Sequence, residues 1–144
     1  MEISQIIPYI KFFPIYLLFI GTFGQACTEK FFSGGVPDWF KTQFDKTFLN
    51  FVPGALTIQY YMIAVLEASV VVLMLFSIGR MEFLPGREQD FLKLALVMAL
   101  FAFFALGFGL RISGDFQGAA NLFMYFGVTF LIFVYVEKLS TFIQ

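Results

Sequence analysis

Three stretches of this sequence are too long and too apolar to be buried in a water-soluble core, and a fourth comes close. Thr57–Gly79 carries a single acidic or basic residue, Glu67; Phe91–Leu110 carries only Lys93; Ala119–Val136 carries none. About 20 apolar residues in helical form cross the roughly 30 Å hydrocarbon layer of a bilayer, and each of these runs meets or approaches that length. The fourth run, residues 6–32, is interrupted by Lys11 and Pro14. The expected architecture is all-α: a polytopic membrane protein forming an antiparallel four-helix transmembrane bundle, with spans near 6–32, 57–79, 91–110 and 119–136.

The composition agrees. Of 144 residues, 60% are hydrophobic and 13% charged, against the quarter or so of charged residues usual in soluble domains. The whole chain therefore reads as one transmembrane domain. A formal net charge of −1 offers no electrostatic capture of nucleic acid. The chain has no His and one Cys, Cys27. That excludes bis-histidine haem ligation, CxxC redox chemistry, an iron–sulfur cluster and a His-containing zinc site within it. No metal site or cofactor is expected, and no catalytic set is complete.

At the amino end, Glu2 is acidic, Lys11 interrupts the apolar run, and no small-residue cleavage site follows, so the first run reads as a retained helix rather than a signal peptide. Pro8 suits a first-turn position, and Pro14 is expected to kink the helix or mark its effective start. Ser33-Gly34-Gly35 is a plausible stop. Between the first two spans, Phe40, Phe44, Phe48 and Phe51 recur at helical spacing beside Trp39. This pattern predicts an amphipathic interfacial helix near 38–52 with Asp38 as its N-cap. The link Arg111–Gly118 reads as a tight polar turn, and Arg80, Glu82, Arg87, Glu88 and Asp90 as a solvated loop.

Glu67 is the residue that composition does not explain. It lies near the middle of its span, where an ionised carboxylate facing lipid costs at least about 2.5–3.5 kcal/mol. It must therefore face the bundle interior and find a partner or be protonated. Its role is either proton handling or a purely structural interhelical hydrogen bond. Lys30 lies on the side where the second span begins, but simple rise arithmetic leaves a gap of several ångströms to Glu67. Gln25 or a water is expected to bridge it. Glu29, Arg111, Asp115 and Asn121 fall on the same side. Together with Tyr60 or Tyr61 at the rim, these residues make a candidate polar pocket: Gln25, Glu29, Lys30, Glu67, Arg111, Asp115 and Asn121.

Three pieces of the sequence resemble the DoxX-like family of small four-helix membrane proteins. They are the helix end Gly21-Thr22-Phe23-Gly24-Gln25-Ala26-Cys27-Thr28-Glu29-Lys30-Phe31, the Leu66-Glu67 step, and the turn Ser113-Gly114-Asp115-Phe116 followed by Asn121. The resemblance implies a bacterial cytoplasmic (inner) membrane protein associated with quinol- or thiosulfate-oxidising systems. Some relatives carry His near the third or fourth helix; this chain has none.

These readings lead to a non-catalytic accessory subunit of a larger membrane complex as the first expectation, with other subunits or a second copy of the chain as partners alongside the lipid bilayer. The alternatives are a quinone- or lipid-binding protein in which Glu67 handles a proton, and a small proton-coupled transporter. With both termini cytoplasmic, Lys11, Arg80, Arg87, Lys93 and Lys138 lie inside, against Lys30, Lys41, Lys46 and Arg111 outside, a slender majority for the positive-inside rule.

Overall fold

Helices make up most of residues 2–141, the part of the chain described by this computed structural model, and no strand occurs among them. In chain order they are α1 (Ile3–Ile10), α2 (Phe13–Phe32), α3 (Asp38–Gln43), a 3-10 turn at Phe48–Phe51, α4 (Ala55–Gly79), α5 (Asp90–Ser113) and α6 (Phe116–Thr141). Four helical stretches are long and apolar enough to cross a bilayer, the first of them α1 and α2 taken together. This is the expected four-helix bundle.

Spacing on α4 explains how the bundle closes. Its buried residues Tyr60, Ile63, Glu67, Val70, Met74 and Ser77 repeat every three or four positions, which is the seam pattern of helices crossing at a shallow angle. On α2, Phe12 at the helix boundary, Tyr16, Phe19 and Phe23 follow the same rule. On α5 the matching positions include Ala95, Ala99 and Ala102, small enough to bring backbones close, as membrane helix seams require. The tight seams are α2–α4, α4–α5 and α5–α6. Helices α2 and α6 have no comparable seam, and that asymmetry creates the site described below.

The outward surface completes the argument for a membrane. Leu17, Val65, Phe104 and Leu131 are each more than half exposed, as are many other large apolar side chains on all four long helices. A water-soluble monomer rarely exposes continuous apolar surface on this scale.

Pro14 marks the effective start of α2, one of the two outcomes expected of it: the first span is broken at Lys11-Phe12, and α2 begins at Phe13 with Pro14 in its first turn, where a missing N–H costs nothing. Three other features differ from the sequence reading. Pro8 lies well inside α1 rather than in its first turn. The interfacial helix is short: α3 stops at Gln43, because Thr47 Oγ1 donates to the Phe44 carbonyl (2.7 Å) and Asn50 Nδ2 donates to the Asp45 carbonyl and carboxylate (both 3.1 Å). Such side-chain bonds compete with the helical ladder. Phe40 and Phe44 are buried, whereas Phe48 and Phe51 are exposed, and the N-cap is Pro37, with Asp38 the first helical residue. The expected Arg111–Gly118 turn shrinks to Gly114-Asp115: Gly114 takes φ 86°, and the Asp115 carboxylate accepts the Gly118 N–H at 2.9 Å, capping α6.

Where α5 and α6 meet, a Cβ on Gly107 would stand 3.0 Å from the Phe123 ring and 3.4 Å from Leu122 Cβ. Gly107→Leu is therefore expected to wedge the α5–α6 seam and to destabilise the protein by about 1–3 kcal/mol, the usual range for overpacking. Unfolding in a graded detergent–SDS series measures this, with Gly21→Leu, whose Cβ direction is empty, as the neutral control.

Candidate functional site

Glu67 is the middle residue of α4, and its place in the buried seam leaves its side chain 2% exposed. Lys30 meets it directly. The ammonium lies 3.1 Å from Glu67 Oε1 in hydrogen-bonding geometry and 3.0 Å from Oε2. The ammonium therefore bridges the two carboxylate oxygens, and Oε2 is fully buried. The Lys30 side chain is 17% exposed.

The gap expected from rise arithmetic is closed by a shift in register. The amino end of α4 overshoots the carboxyl end of α2, so that the Ser33 hydroxyl stands 3.3 Å from the Tyr60 hydroxyl. Lys30, one turn before Ser33, then lies beside the Ile63–Ala64 turn. Its four-carbon stem covers the remaining turn down to Glu67. Neither Gln25 nor water is needed for the link. Gln25 instead donates to Glu29 at 3.1 Å within its own helix.

The overshooting end of α4 is covered by α3. Phe40 and Tyr60 meet edge to face at 5.1 Å between ring centroids, Phe40 and Phe44 at 4.8 Å, and the three form a small core of their own. This aromatic cap covers the end of α4 beside Lys30. Beneath it lies a cavity of about 110 Å³ touched by Lys30, Gln43, Gln59 and Gly109. Gln59 Oε1 is buried there without a hydrogen-bond partner among the described residues. Gly109 makes room for the amide: a Cβ at that position would stand 3.0 Å from Gln59 Nε2 and 3.4 Å from Phe44.

The larger cavity lies on the other side of the ion pair. It measures about 440 Å³ and occupies the gap between α2 and α6. Phe19, Thr22 and Phe23 line it from α2, Tyr125 and Thr129 from α6, and Phe103 from α5, while Glu67 supplies the one charged group in its wall. Lys30 belongs to the small cavity and Glu67 to the large one. The ion pair is thus the partition between a small pocket under the aromatic cap and an apolar cavity at the α2–α6 gap.

Of the seven residues grouped from sequence, the structure joins Lys30 to Glu67 and Gln25 to Glu29, and separates the rest. Arg111 stacks its guanidinium 4.4 Å above the Phe116 ring, Asp115 caps α6, and the Asn121 carbonyl accepts from Gln117 at 3.3 Å. These three stabilise the α5–α6 corner, not a shared pocket. Thr22, Gln59, Tyr125 and Thr129 were absent from the sequence grouping. Tyr125 and Thr129 could have been found there: with Leu122 and Ile132 they repeat at helical spacing on one stripe of α6.

The opposite end of the bundle corrects the reading of Glu82 as part of a solvated loop. It is 3% exposed. Its Oε1 accepts the Phe91 N–H (3.1 Å), and its Oε2 accepts the Leu92 N–H (3.0 Å) and the Ser77 hydroxyl (2.6 Å), which in turn contacts the Tyr16 hydroxyl at 2.6 Å. One carboxylate therefore caps α5 and ties it to α4 and α2. Nearby, the Ser140 hydroxyl donates to Gln89 Oε1 at 2.8 Å and fastens α6 to the same loop.

Fold and site together define a multi-pass α-helical membrane protein with an ion pair buried in its transmembrane bundle. Compared with family models, curated proteins and solved structures, the chain shows no match.

Proposed function

We propose that this protein binds a lipid-soluble small molecule, of quinone or lipid type, in the α2–α6 cavity, with Glu67 as the group that handles its polar end. One observation carries the reading: a buried carboxylate, held by Lys30 on one side, lines an apolar cavity of about 440 Å³ on the other. Pockets for small molecules typically measure about 300–1,000 Å³, are mainly apolar and hold a few convergent polar groups. Thr22, Tyr125 and Thr129 add neutral hydrogen-bonding capacity to the wall. The reading rests on this geometry; the DoxX-like resemblance is a proposal that points the same way.

Decylhydroquinone, offered under reducing conditions to the protein in phosphatidylcholine nanodiscs, should bind above the level of empty discs. Glu67→Gln should weaken that binding about tenfold or more, since a hydrogen bond to a charged group contributes about 1.5–3 kcal/mol. Unchanged affinity over the pH range in which the protein stays folded would remove Glu67 from the site.

An accessory role in a larger membrane assembly stands as the second reading, and one feature favours it. Glu67 is the single charged group in the cavity wall, so turnover of a bound molecule would draw on groups from a partner. Gentle-detergent purification should then yield other subunits with this chain. A proton-coupled transporter ranks third, because Glu67 is the single carboxylate in the cavity wall and a proton route needs further relay groups.

We place the protein in a bacterial cytoplasmic membrane with both termini inside and α3 outside. The balance of cations, five inside against four outside, leans the same way. Reporter fusions at the Leu84–Gly86 loop and at Lys46 should show opposite locations, the first cytoplasmic.

A further inference from the structure

We infer that the α2–α6 cavity selects a neutral lipid whose head group carries a hydroxyl and donates it to Glu67 near the middle of the membrane. The inference rests on the ligand-binding reading above and narrows it by depth, charge and hydrogen-bond polarity.

Depth excludes the commonest membrane lipids. Glu67 is the central residue of a helix, Ala55–Gly79, that is long enough to span the bilayer. The phosphate of a phospholipid stays at the interface, roughly 15 Å away, half the thickness of the hydrocarbon core. Only a molecule with a small, weakly polar head can bring that head to the level of Glu67. The cavity holds a ring-sized group and the first carbons of a tail. The rest of the tail leaves through the gap where α2 and α6 lack a tight seam.

Charge excludes ionic heads. The Lys30–Glu67 pair is neutral as a unit, and no other charged side chain lines the cavity. A neutral ligand preserves that balance in a medium that penalises net charge. An anionic ligand would face the carboxylate, with the ammonium already engaged by Glu67.

Polarity decides between the neutral classes. As the anionic member of the pair, Glu67 offers only lone pairs, and a single ammonium at 3.1 and 3.0 Å from its two oxygens leaves the carboxylate further accepting capacity. A hydroxyl can use that capacity, since an ionised carboxylate has about four lone-pair sites and only accepts. A ketone, ether or ester oxygen would set lone pair against lone pair.

The full-length protein in nanodiscs is titrated with three probes of matched tail: 4-decylphenol, its methyl ether and decylbenzoquinone, with empty discs subtracted. The phenol is expected to bind at least tenfold more tightly than the other two. Glu67→Gln, whose amide can donate, should shrink that preference and strengthen the quinone relative to the phenol. Val128→Trp, placed at the exposed mouth of the cavity on α6, should weaken all three while leaving the ion pair in place. Equal binding of phenol and methyl ether to the wild type, with both lost in Val128→Trp, overturns the selection for a hydroxyl and leaves the cavity as a binding site. Binding of no probe, or binding that Val128→Trp does not touch, overturns the ligand-binding reading itself and this inference with it.

Discussion

Replacing Lys30 with methionine should destabilise the bundle by about 3–5 kcal/mol, the usual consequence of removing one partner from a buried ion pair. Methionine keeps most of the stem length, so the change isolates the ammonium. Glu67 would then stand 2% exposed among Ile63, Ala64 and Val70 with no cation in reach. The informative comparison is the double variant Lys30→Met with Glu67→Gln. Because it removes both charges, it should recover more than half of the loss seen with Lys30→Met alone. Thermal unfolding in detergent, followed by helical circular dichroism, supplies the four corners of the cycle. If the two substitutions simply add, the pair contributes nothing as a pair, and the partition between the two cavities is apolar packing.

That pairing also shows how far the sequence could be read. Glu67 was legible as an inward-facing group, because a charge in the middle of an apolar span has nowhere else to go at tolerable cost. Its stripe, from Tyr60 to Ser77 in steps of three and four, was equally open to inspection. Its partner was not. Placing the ends of the first two spans at one level puts Lys30 too far away, whereas the chain lets α4 rise past α2 and covers the excess with α3. That offset depends on tertiary contacts, Ser33 with Tyr60 and Phe40 with Tyr60, and leaves no periodic mark in the sequence. The cavity was illegible for a related reason: it exists because one pair of helices does not close, and a missing seam has no motif. The same limit explains Arg111, Asp115 and Asn121. They do fall on the side of Lys30, but a shared side is a coarse coordinate. Locally each is taken up by its own corner, by Phe116, Gly118 and Gln117 in turn.

The second large effect is expected at the opposite end, where Glu82→Ala should cost about 3 kcal/mol or more. Two backbone N–H groups at the start of α5, those of Phe91 and Leu92, give their hydrogen bonds to this carboxylate. The first N–H groups of a helix have no partner within it, and a negative group there also meets the positive end of the helix dipole. Alanine leaves both donors unserved in a buried setting, and it deprives the Ser77 hydroxyl of its 2.6 Å bond to the carboxylate. Hydrogen bonds to a charged group contribute about 1.5–3 kcal/mol each, net of the exchange with water, so the loss exceeds an ordinary capping loss of about 1 kcal/mol. Tyr16→Phe removes only the outermost link, the 2.6 Å contact with Ser77, and should cost about 1 kcal/mol. Glu82→Gln retains an acceptor for one of the two N–H groups and should fall between them. Unfolding midpoints in the same detergent series should therefore follow the order wild type, Tyr16→Phe, Glu82→Gln, Glu82→Ala. An alanine variant as stable as Tyr16→Phe would mean that water caps α5 as well as Glu82 does, and that the clasp joining α2, α4 and α5 contributes little. Decylphenol affinity separates this clasp from the cavity: at temperatures where the protein is folded, Tyr16→Phe should leave it unchanged, since Tyr16 and Glu82 lie outside the cavity wall.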